Sequence, residues 1–282
     1  MEGNECYKFA TIRNYIDLTD ADPVRVTIDV GANVGTITRM MKAYFPDACV
    51  YAYEAVAEYA GLAEANTRDL PRVTISRRAV TADHLFHDDF GQSRRSGTGA
   101  LRVLKGMPEA GPGWGGGSIV VNADSPALAG GRSPRGYRLL DDEIAPISLD
   151  EAVADALARE GADRIDILKL DCEGCEHSSL GAASDATLER VRFIVGEYHG
   201  IERFYAVMQR KLYRTHKVNL IGQRDLGAFF AERLDGDRDG ILRFDKTGML
   251  VPRPWLSGGA IDWHLFNKRF VPPEERHSHA LA

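Results

Sequence analysis

The chain has 282 residues, 44% of them hydrophobic and 27% charged, with a formal net charge of −6. This suits a globular protein of one domain with insertions or two small domains, and the acidic balance argues against a nucleic-acid partner. No apolar stretch approaches the ~18 residues of a membrane span, and the polar N-terminus does not resemble a secretory signal. Four cysteines are too few for a disulfide framework in a chain of this length. We therefore expect a cytoplasmic protein without membrane partners.

The first part of the chain alternates strands and helices. Residues 1–23 are expected to form an N-terminal extension of one short helix and a loop. The elements that follow are predicted as strand Val24–Val30, helix Thr36–Tyr44, strand Ala48–Tyr53, helix Glu58–Leu70 and strand Val73–Val80. Because their connections are short, they predict a parallel sheet with right-handed crossovers.

The alternation breaks at residues 91–117, which contain nine glycines. This composition cannot pack a core, so it predicts a mobile loop, a lid or a disordered insertion. The later elements are predicted as strands Ser118–Asn122 and Ala145–Leu149, helix Asp150–Glu160 with Asp150 as N-cap, strands Ile165–Leu170 and Arg192–Tyr198, helix Glu202–Leu212, and strands His216–Ile221 and Trp263–Phe266. The pattern predicts one doubly wound α/β domain over residues 24–282.

A glycine turn follows the first strand, where ligands bind in open α/β sheets. The turn contains, in order, Asp29, Gly31, Ala32, Asn33 and Gly35. It is not the dinucleotide fingerprint G-x-G-x-x-G, since the middle glycine is Asn33 and Gly35 comes one position early. Nineteen residues after Gly35, Glu54 ends the second strand, where a carboxylate can accept hydrogen bonds from ribose hydroxyls. A ligand with adenosine but no phosphate fits, and S-adenosylmethionine is the obvious candidate.

A second group of polar residues follows the strand Ile165–Leu170, in the stretch DCEGCEH. The carboxylates of Asp171, Glu173 and Glu176 are expected at the carboxyl ends of the strands, on the same rim of the sheet as the glycine turn. Cys172 and Cys175 form a C-x-x-C, but the two other cysteines supply no second pair for zinc. Neighbouring carboxylates would raise the thiol pKa, against a reactive thiolate. We therefore interpret the pair as incidental and predict no metal site, with redox and zinc roles as alternatives.

Four stretches in this order resemble FkbM-type S-adenosylmethionine-dependent methyltransferases: TIDVGANVGTIT (27–38), VYAYEA (50–55), ISLDEAV (147–153) and ILKLDCEGCEHSSLGA (167–182). The resemblance covers about residues 24–200, apart from the glycine-rich insertion. It implies a class I, Rossmann-like, doubly wound sheet of seven strands, mostly parallel with an antiparallel last strand. It also implies methyl transfer from S-adenosylmethionine to an oxygen of a small molecule, such as a sugar or secondary metabolite, in biosynthesis.

The same resemblance and the strand ends give the site residues. The donor is expected to contact Asp29, Gly31, Ala32, Asn33, Gly35, Glu54, Ala79, Val80 and Asp171. Candidates for a catalytic base are Asp171, Glu173, Glu197 and His199, the last two at the end of the strand RFIVGEYHG. Lys169 could pair with an acid. Two alternatives stay open: a nicotinamide-dependent oxidoreductase, which Asn33 disfavours, and a non-catalytic module that binds an adenosyl ligand.

Overall fold

A computed structural model of the chain describes residues 23–82, 86–87, 93–94, 101–106, 118–122, 137–221, 226–234, 242–244 and 250–252. The chain divides into two units: one is Val24–Arg233, and the other joins Met1–Pro23 with Leu234–Ala282. The sequence-based boundaries, an extension over 1–23 and one domain over 24–282, stay a prediction.

Seven strands form the main sheet, in the spatial order β12-β13-β11-β10-β1-β2-β3. They are β1 (Val26–Val30), β2 (Cys49–Tyr53), β3 (Val73–Ser76), β10 (Ile165–Leu170), β11 (Val191–His199), β12 (His216–Ile221) and β13 (Leu226–Arg233). Neighbouring strands are parallel except β13, which is antiparallel to both β11 and β12. The central strands β1, β2 and β10 are buried at every position, as expected of a sheet covered on both faces. The predicted fold class is confirmed.

Helices connect these strands. They are α1 (Thr36–Tyr44), α2 (Ala57–Thr67), α3 (Leu149–Glu160), α4 (Cys175–Ala182), α5 (Asp185–Glu189), α6 (Ile201–Val207), a π-helical segment Met208–Leu212 and α7 (Tyr213–Thr215). The N-cap of α3 is Ser148, so the prediction of Asp150 was wrong. Ser148 Oγ accepts from the N–H of Glu151, whose carboxylate accepts from the N–H of Ser148, a reciprocal capping box.

One strand prediction was wrong, and one strand of the main sheet was not predicted. The predicted strand Val73–Val80 is divided, because β4 (Arg78–Val80) leaves the main sheet and pairs with another strand, β9 (Tyr137–Ile147). The seventh strand of the sheet is β13, which the sequence did not predict; the predicted last strand, Trp263–Phe266, lies outside the described residues.

A second sheet has the order β4-β9-β7-β8, with β7 at Leu101–Gly106 and β8 at Ser118–Asn122. Its side chains pack in one apolar cluster with the start of α2: Val56, Ala79, Leu101, Val103 and Ile144. Residues 101–106 belong to the glycine-rich insertion, so the expectation that this segment packs no core was wrong for them. The rest of the insertion lies outside the described residues, except for Ser93–Arg94.

Two short antiparallel strand pairs complete the description. One pairs β5 (Phe86–His87) with β6 (Ser93–Arg94). The other belongs to the second unit and pairs β14 (Leu242–Phe244) with β15 (Leu250–Pro252). Within the described part of the chain, no helix has the length and apolar character needed to cross a membrane.

His216, at the start of β12, is a buried histidine whose ring contacts the backbone at the start of β11. Its Nε2 is 3.0 Å from the carbonyl oxygen of Val191, and its Nδ1 is 2.7 Å from Thr215 Oγ1. A neutral imidazole satisfies both contacts, with Nε2–H donating and Nδ1 accepting. Burial lowers the pKa of His216 to about 4, so the folded protein excludes a proton that the unfolded chain binds below about pH 6.5.

This difference predicts an acid-sensitive stability. As the pH falls from about 6.5 to 4, His216 should lower the free energy of unfolding by about 3 kcal/mol, since the unfolded state gains the proton first. Urea unfolding at a series of pH values measures this slope. The variant His216→Gln, which cannot titrate, should lose that part of the slope, and an unchanged slope would contradict the assignment.

Candidate active site

The glycine turn after β1 is the first part of the site. Its left-handed positions are Gly31 (φ 74°), Asn33 (φ 50°) and Gly35 (φ 85°). The N–H groups of Gly31 and Ala32 donate to the carbonyl oxygen of Tyr53, at 3.0 and 3.1 Å, which fixes the turn to the end of β2. A Cβ atom on Gly31 would lie only 1.9 Å from the carbonyl oxygen of Asp171. The missing side chain therefore lets the turn pack against the end of β10.

A buried ion pair supports this turn. Asp29 is fully buried, accepts a 2.7 Å hydrogen bond from Thr38 Oγ1, and has its other oxygen 3.0 Å from Lys169 Nζ. Lys169 also donates to the carbonyl oxygens of Val30 and Gly31, at 3.1 and 2.8 Å. Lys169 thus pairs with an acid, as the sequence suggested. The expected contact of Asp29 with a donor stays a prediction.

Glu54 lies beside the turn with its carboxylate largely buried, at 7% exposure. Its Oε2 accepts from the N–H of Asn33 and its Oε1 from the N–H of Val56, both at 2.8 Å. Burial raises the pKa of Glu54, while the two N–H groups and the charge of Lys169 oppose that shift. A carboxylate has about four lone-pair sites, so these two hydrogen bonds leave acceptor capacity for the hydroxyls of a ligand.

Ala79 and Val80 lie on β4, where they pair with Pro146 and Ile147 of β9. Ala79 belongs to the apolar cluster of the second sheet. The carbonyl oxygen of Val80 accepts a 2.9 Å hydrogen bond from Ser179 Oγ on α4. Their role in holding an adenine stays a prediction.

The second part of the site is the rim after β10, where Glu176 of α4 organises the backbone. Glu176 is fully buried, and its Oε2 accepts a 3.0 Å hydrogen bond from the N–H of Gly174. Its Oε1 accepts from the N–H of His199 at 3.0 Å and lies 2.8 Å from His199 Nδ1. His177 Nε2 contacts the carbonyl oxygen of His199. Sequence reasoning placed Glu176 on the rim but missed this role, although the family motif contains the residue.

The imidazole of His199 lies between two carboxylates. Its Nε2 is 3.2 Å from Glu173 Oε2, while its Nδ1 faces Glu176. Burial alone would lower the pKa of His199, but the hydrogen bonds with Glu173 and Glu176 outweigh it and raise the pKa to about 10. A protonated imidazole cannot accept a proton, so this arrangement disfavours His199 as the catalytic base.

The carboxyl ends of β10 and β11 approach closely at Gly196. This residue pairs with Leu170, and a Cβ on it would lie 1.8 Å from the carbonyl oxygen of Leu170. The approach brings the end of β11 beside Asp171. One potential ligand atom each from Asp171, Glu197 and His199 lies within 4.8 Å of the others. With Glu173 in contact with His199, the structure brings together all four predicted catalytic candidates.

Cys172 and Cys175 lie in the loop between β10 and α4. They are joined by a disulfide, with their Cα atoms 5.4 Å apart. The interpretation of this pair as incidental was therefore wrong. The bond closes the short loop that contains Glu173, a residue in the left-handed region at φ 55°.

Comparison with known proteins gives a family. A family model described as the methyltransferase FkbM domain matches residues 29–218, whereas no curated protein matches the chain. Similar solved structures include precorrin-6y C5,15-methyltransferase from Geobacter metallireducens GS-15, with 10% identity, a TM-score of 0.42, and coverage of 83% of this chain and 90% of that one. An rRNA methylase from Streptococcus thermophilus has 10% identity and a TM-score of 0.43, with coverage of 83% of this chain and 99% of that one. The N-terminal domain of human METTL16 in complex with SAH has 14% identity and a TM-score of 0.42, with coverage of 80% of this chain and 69% of that one.

One expectation about partners needs correction. The net charge of −6 does not exclude a nucleic-acid partner. A net charge sums over the whole chain and does not describe the local field at a binding cleft. The exclusion of nucleic acid is therefore withdrawn.

Proposed function

Since this chain belongs to the FkbM family of methyltransferases, we propose that it transfers a methyl group from S-adenosylmethionine to an oxygen atom of a small molecule. The observation that carries the donor assignment is the buried Glu54 carboxylate, hydrogen-bonded to the N–H of Asn33 in the glycine turn. The family assignment removes the nicotinamide-dependent oxidoreductase from the alternatives. A cytoplasmic location and a biosynthetic role belong to the same proposal.

The residues at the turn fit this donor. Glu54 has remaining lone pairs for the two ribose hydroxyls. The turn leads directly into α1, whose first N–H groups favour an anionic group such as the donor carboxylate. Asp171, whose backbone packs on Gly31, supplies a negative charge for the donor's amino group or sulfonium.

When bound, S-adenosylmethionine supplies an electrophilic methyl group. A lone pair of the acceptor forms the new bond to this methyl carbon, while the bond from carbon to sulfur breaks and sulfur keeps its electron pair. The protein must align the acceptor, which can be worth roughly 7–11 kcal/mol. A hydroxyl acceptor must also lose its proton. The rim carboxylates of Asp171, Glu173 and Glu197 are the groups that can accept it, and such a base contributes about 10²–10⁴-fold in rate.

The donor assignment is tested at Glu54. The variant Glu54→Gln keeps the side-chain shape but loses the charge that strengthens hydrogen bonds to the ribose. We expect it to weaken the affinity for S-adenosylhomocysteine about 10²-fold, because hydrogen bonds to a charged acceptor contribute roughly 1.5–3 kcal/mol. Isothermal titration calorimetry measures the change.

Glu64→Gln is the matched control, since Glu64 is an exposed acid on the nearby helix α2. It should bind S-adenosylhomocysteine like the parent protein. Equal affinities of the Glu54 variant and the parent would contradict the ribose contact. Transfer of radiolabelled methyl groups to hydroxylated small molecules, with RNA as a parallel acceptor, then separates an enzyme from a non-catalytic binding module.

A further inference from the structure

The rim contains a mixed set of carboxylate and imidazole groups that lie close together. Asp171, Glu197 and His199 each contribute one potential ligand atom, and these atoms lie within 4.8 Å of one another. Around a divalent cation with ligand bonds of about 2.1 Å, adjacent ligand atoms are about 3 Å apart. Asp171 and Glu197 are only partly buried, and rotation of their side chains would close this difference.

His199 is oriented for this role by a group behind it. Its Nδ1 lies 2.8 Å from the carboxylate of Glu176, which is fully buried and is also held by the N–H groups of Gly174 and His199. A histidine that binds a metal almost always donates its second ring N–H to such a carboxylate or carbonyl. This contact fixes the ring so that Nε2 faces the rim, where Glu173 Oε2 is 3.2 Å away.

The backbone fixes the relative position of these groups. Asp171 follows β10 directly, and its N–H donates to the carbonyl oxygen of Val30. Glu197 and His199 are two positions apart on β11, so their side chains lie on the same side of the strand. The close pairing of β11 with β10 depends on Gly196. The ligand atoms therefore come from rigid strand ends, which favours a defined coordination geometry.

We propose that Asp171, Glu197 and His199 bind a divalent cation of the Mn²⁺ class, with Glu173 as a further ligand. The cation takes the place of the proton on His199 Nε2, because an imidazole that binds a metal must be neutral. Carboxylate oxygens suit Mg²⁺, Ca²⁺ and Mn²⁺, while an imidazole ligand favours a transition metal over the first two. Three or four protein ligands leave coordination positions for water or for an oxygen of the acceptor.

The use of this cation rests on the proposed methyl transfer, whereas its binding does not. The cation would hold the acceptor hydroxyl at the rim and make its proton more acidic, as metals do for bound water. That proton passes to solvent, because the rim carboxylates are then ligands of the cation, and the oxygen lone pair then forms the bond to the methyl carbon. The site would therefore select an acceptor with an oxygen nucleophile.

The test is titration of the full chain with Mn²⁺, read by the electron paramagnetic resonance signal of the free ion. The parent protein should bind about one Mn²⁺ ion, and Glu197→Gln and His199→Gln should each weaken the affinity more than about tenfold. Glu202→Gln, which changes an exposed acid shortly after β11, should leave the affinity unchanged. No Mn²⁺ binding by the parent protein, or equal binding by all variants, would overturn the proposal.

Two further measurements keep the outcomes separate. The thermal unfolding midpoint of each variant shows whether it is folded, and calorimetry with S-adenosylhomocysteine reports the donor site, to which Glu197 does not belong. Donor binding without Mn²⁺ binding rejects only the cation site. Mn²⁺ binding that depends on Glu197 and His199, without donor binding, rejects the proposed donor and leaves the cation site standing.

Discussion

Replacing Gly31 by alanine should abolish measurable binding of S-adenosylhomocysteine and lower the free energy of unfolding by about 4 kcal/mol or more. The added Cβ would lie 1.9 Å from the carbonyl oxygen of Asp171 and 2.8 Å from its carbonyl carbon. Both are backbone atoms at the end of a buried strand, so no side-chain rotation can relieve the clash. Alanine also pays roughly 1–2 kcal/mol for the left-handed conformation. The remainder comes from displacing the turn from Tyr53 and Glu54.

A second glycine separates the contact from the backbone conformation. Gly161, at the C-terminal end of α3, also has a positive φ, of 58°, but an added Cβ would meet no atom within 4 Å. Gly161→Ala should therefore cost only the conformational part, about 1 kcal/mol, and leave donor affinity unchanged. Urea unfolding and calorimetry of both variants make the comparison. Similar losses of stability in the two would show that close packing on Asp171 contributes little.

The strands and helices that the sequence predicted well are those with a strong local signal. Helix Thr36–Tyr44 and strands Ile165–Leu170 and His216–Ile221 have the predicted bounds. The two strands are short runs rich in apolar residues, and the helix begins just after Gly35 and ends just before Pro46, features that depend on nearby residues alone.

The errors arise where distant pairing decides the structure. Residues 73–80 have strand character throughout, but only the pairing of Arg78–Val80 with β9 shows that the strand divides. Strand β13 includes Gly227, which weakens its local signal. That glycine is needed because a Cβ there would lie 2.3 Å from the hydroxyl oxygen of Tyr198. No local pattern contains this information.

The candidate site shows the same division. The glycine turn and Glu54 could be predicted, because their spacing along the chain follows from one strand, one helix and the next strand. The link between Glu176 and His199 could not, since it joins residues 23 positions apart at the ends of different elements. The raised pKa of His199 follows from that link. Tertiary contacts thus show which residues of the motif lie together, which the motif alone does not contain.

The second large effect is expected at Lys169, whose replacement by methionine should lower the free energy of unfolding by about 3–5 kcal/mol. Methionine keeps most of the side-chain length but removes the charge 3.0 Å from Asp29, which is fully buried. An uncompensated buried carboxylate accounts for a loss of this size. The carbonyl oxygens of Val30 and Gly31 also lose a donor. Affinity for S-adenosylhomocysteine should fall as well, because Lys169 holds the glycine turn.

A matched lysine and a double variant identify the cause of that loss. Lys42 is also buried and donates to two backbone carbonyl oxygens, those of Pro46 and Ala48, at 2.6 and 2.7 Å. Since Lys42→Met leaves no buried carboxylate without its partner, we expect it to cost about 1–2 kcal/mol. Adding Asp29→Asn to Lys169→Met should recover part of the loss, because the double variant has no unpaired carboxylate at position 29. If urea unfolding instead shows additive losses, the ion pair does not stabilise the turn, and the hydrogen bonds from Lys169 to the carbonyl groups account for its role.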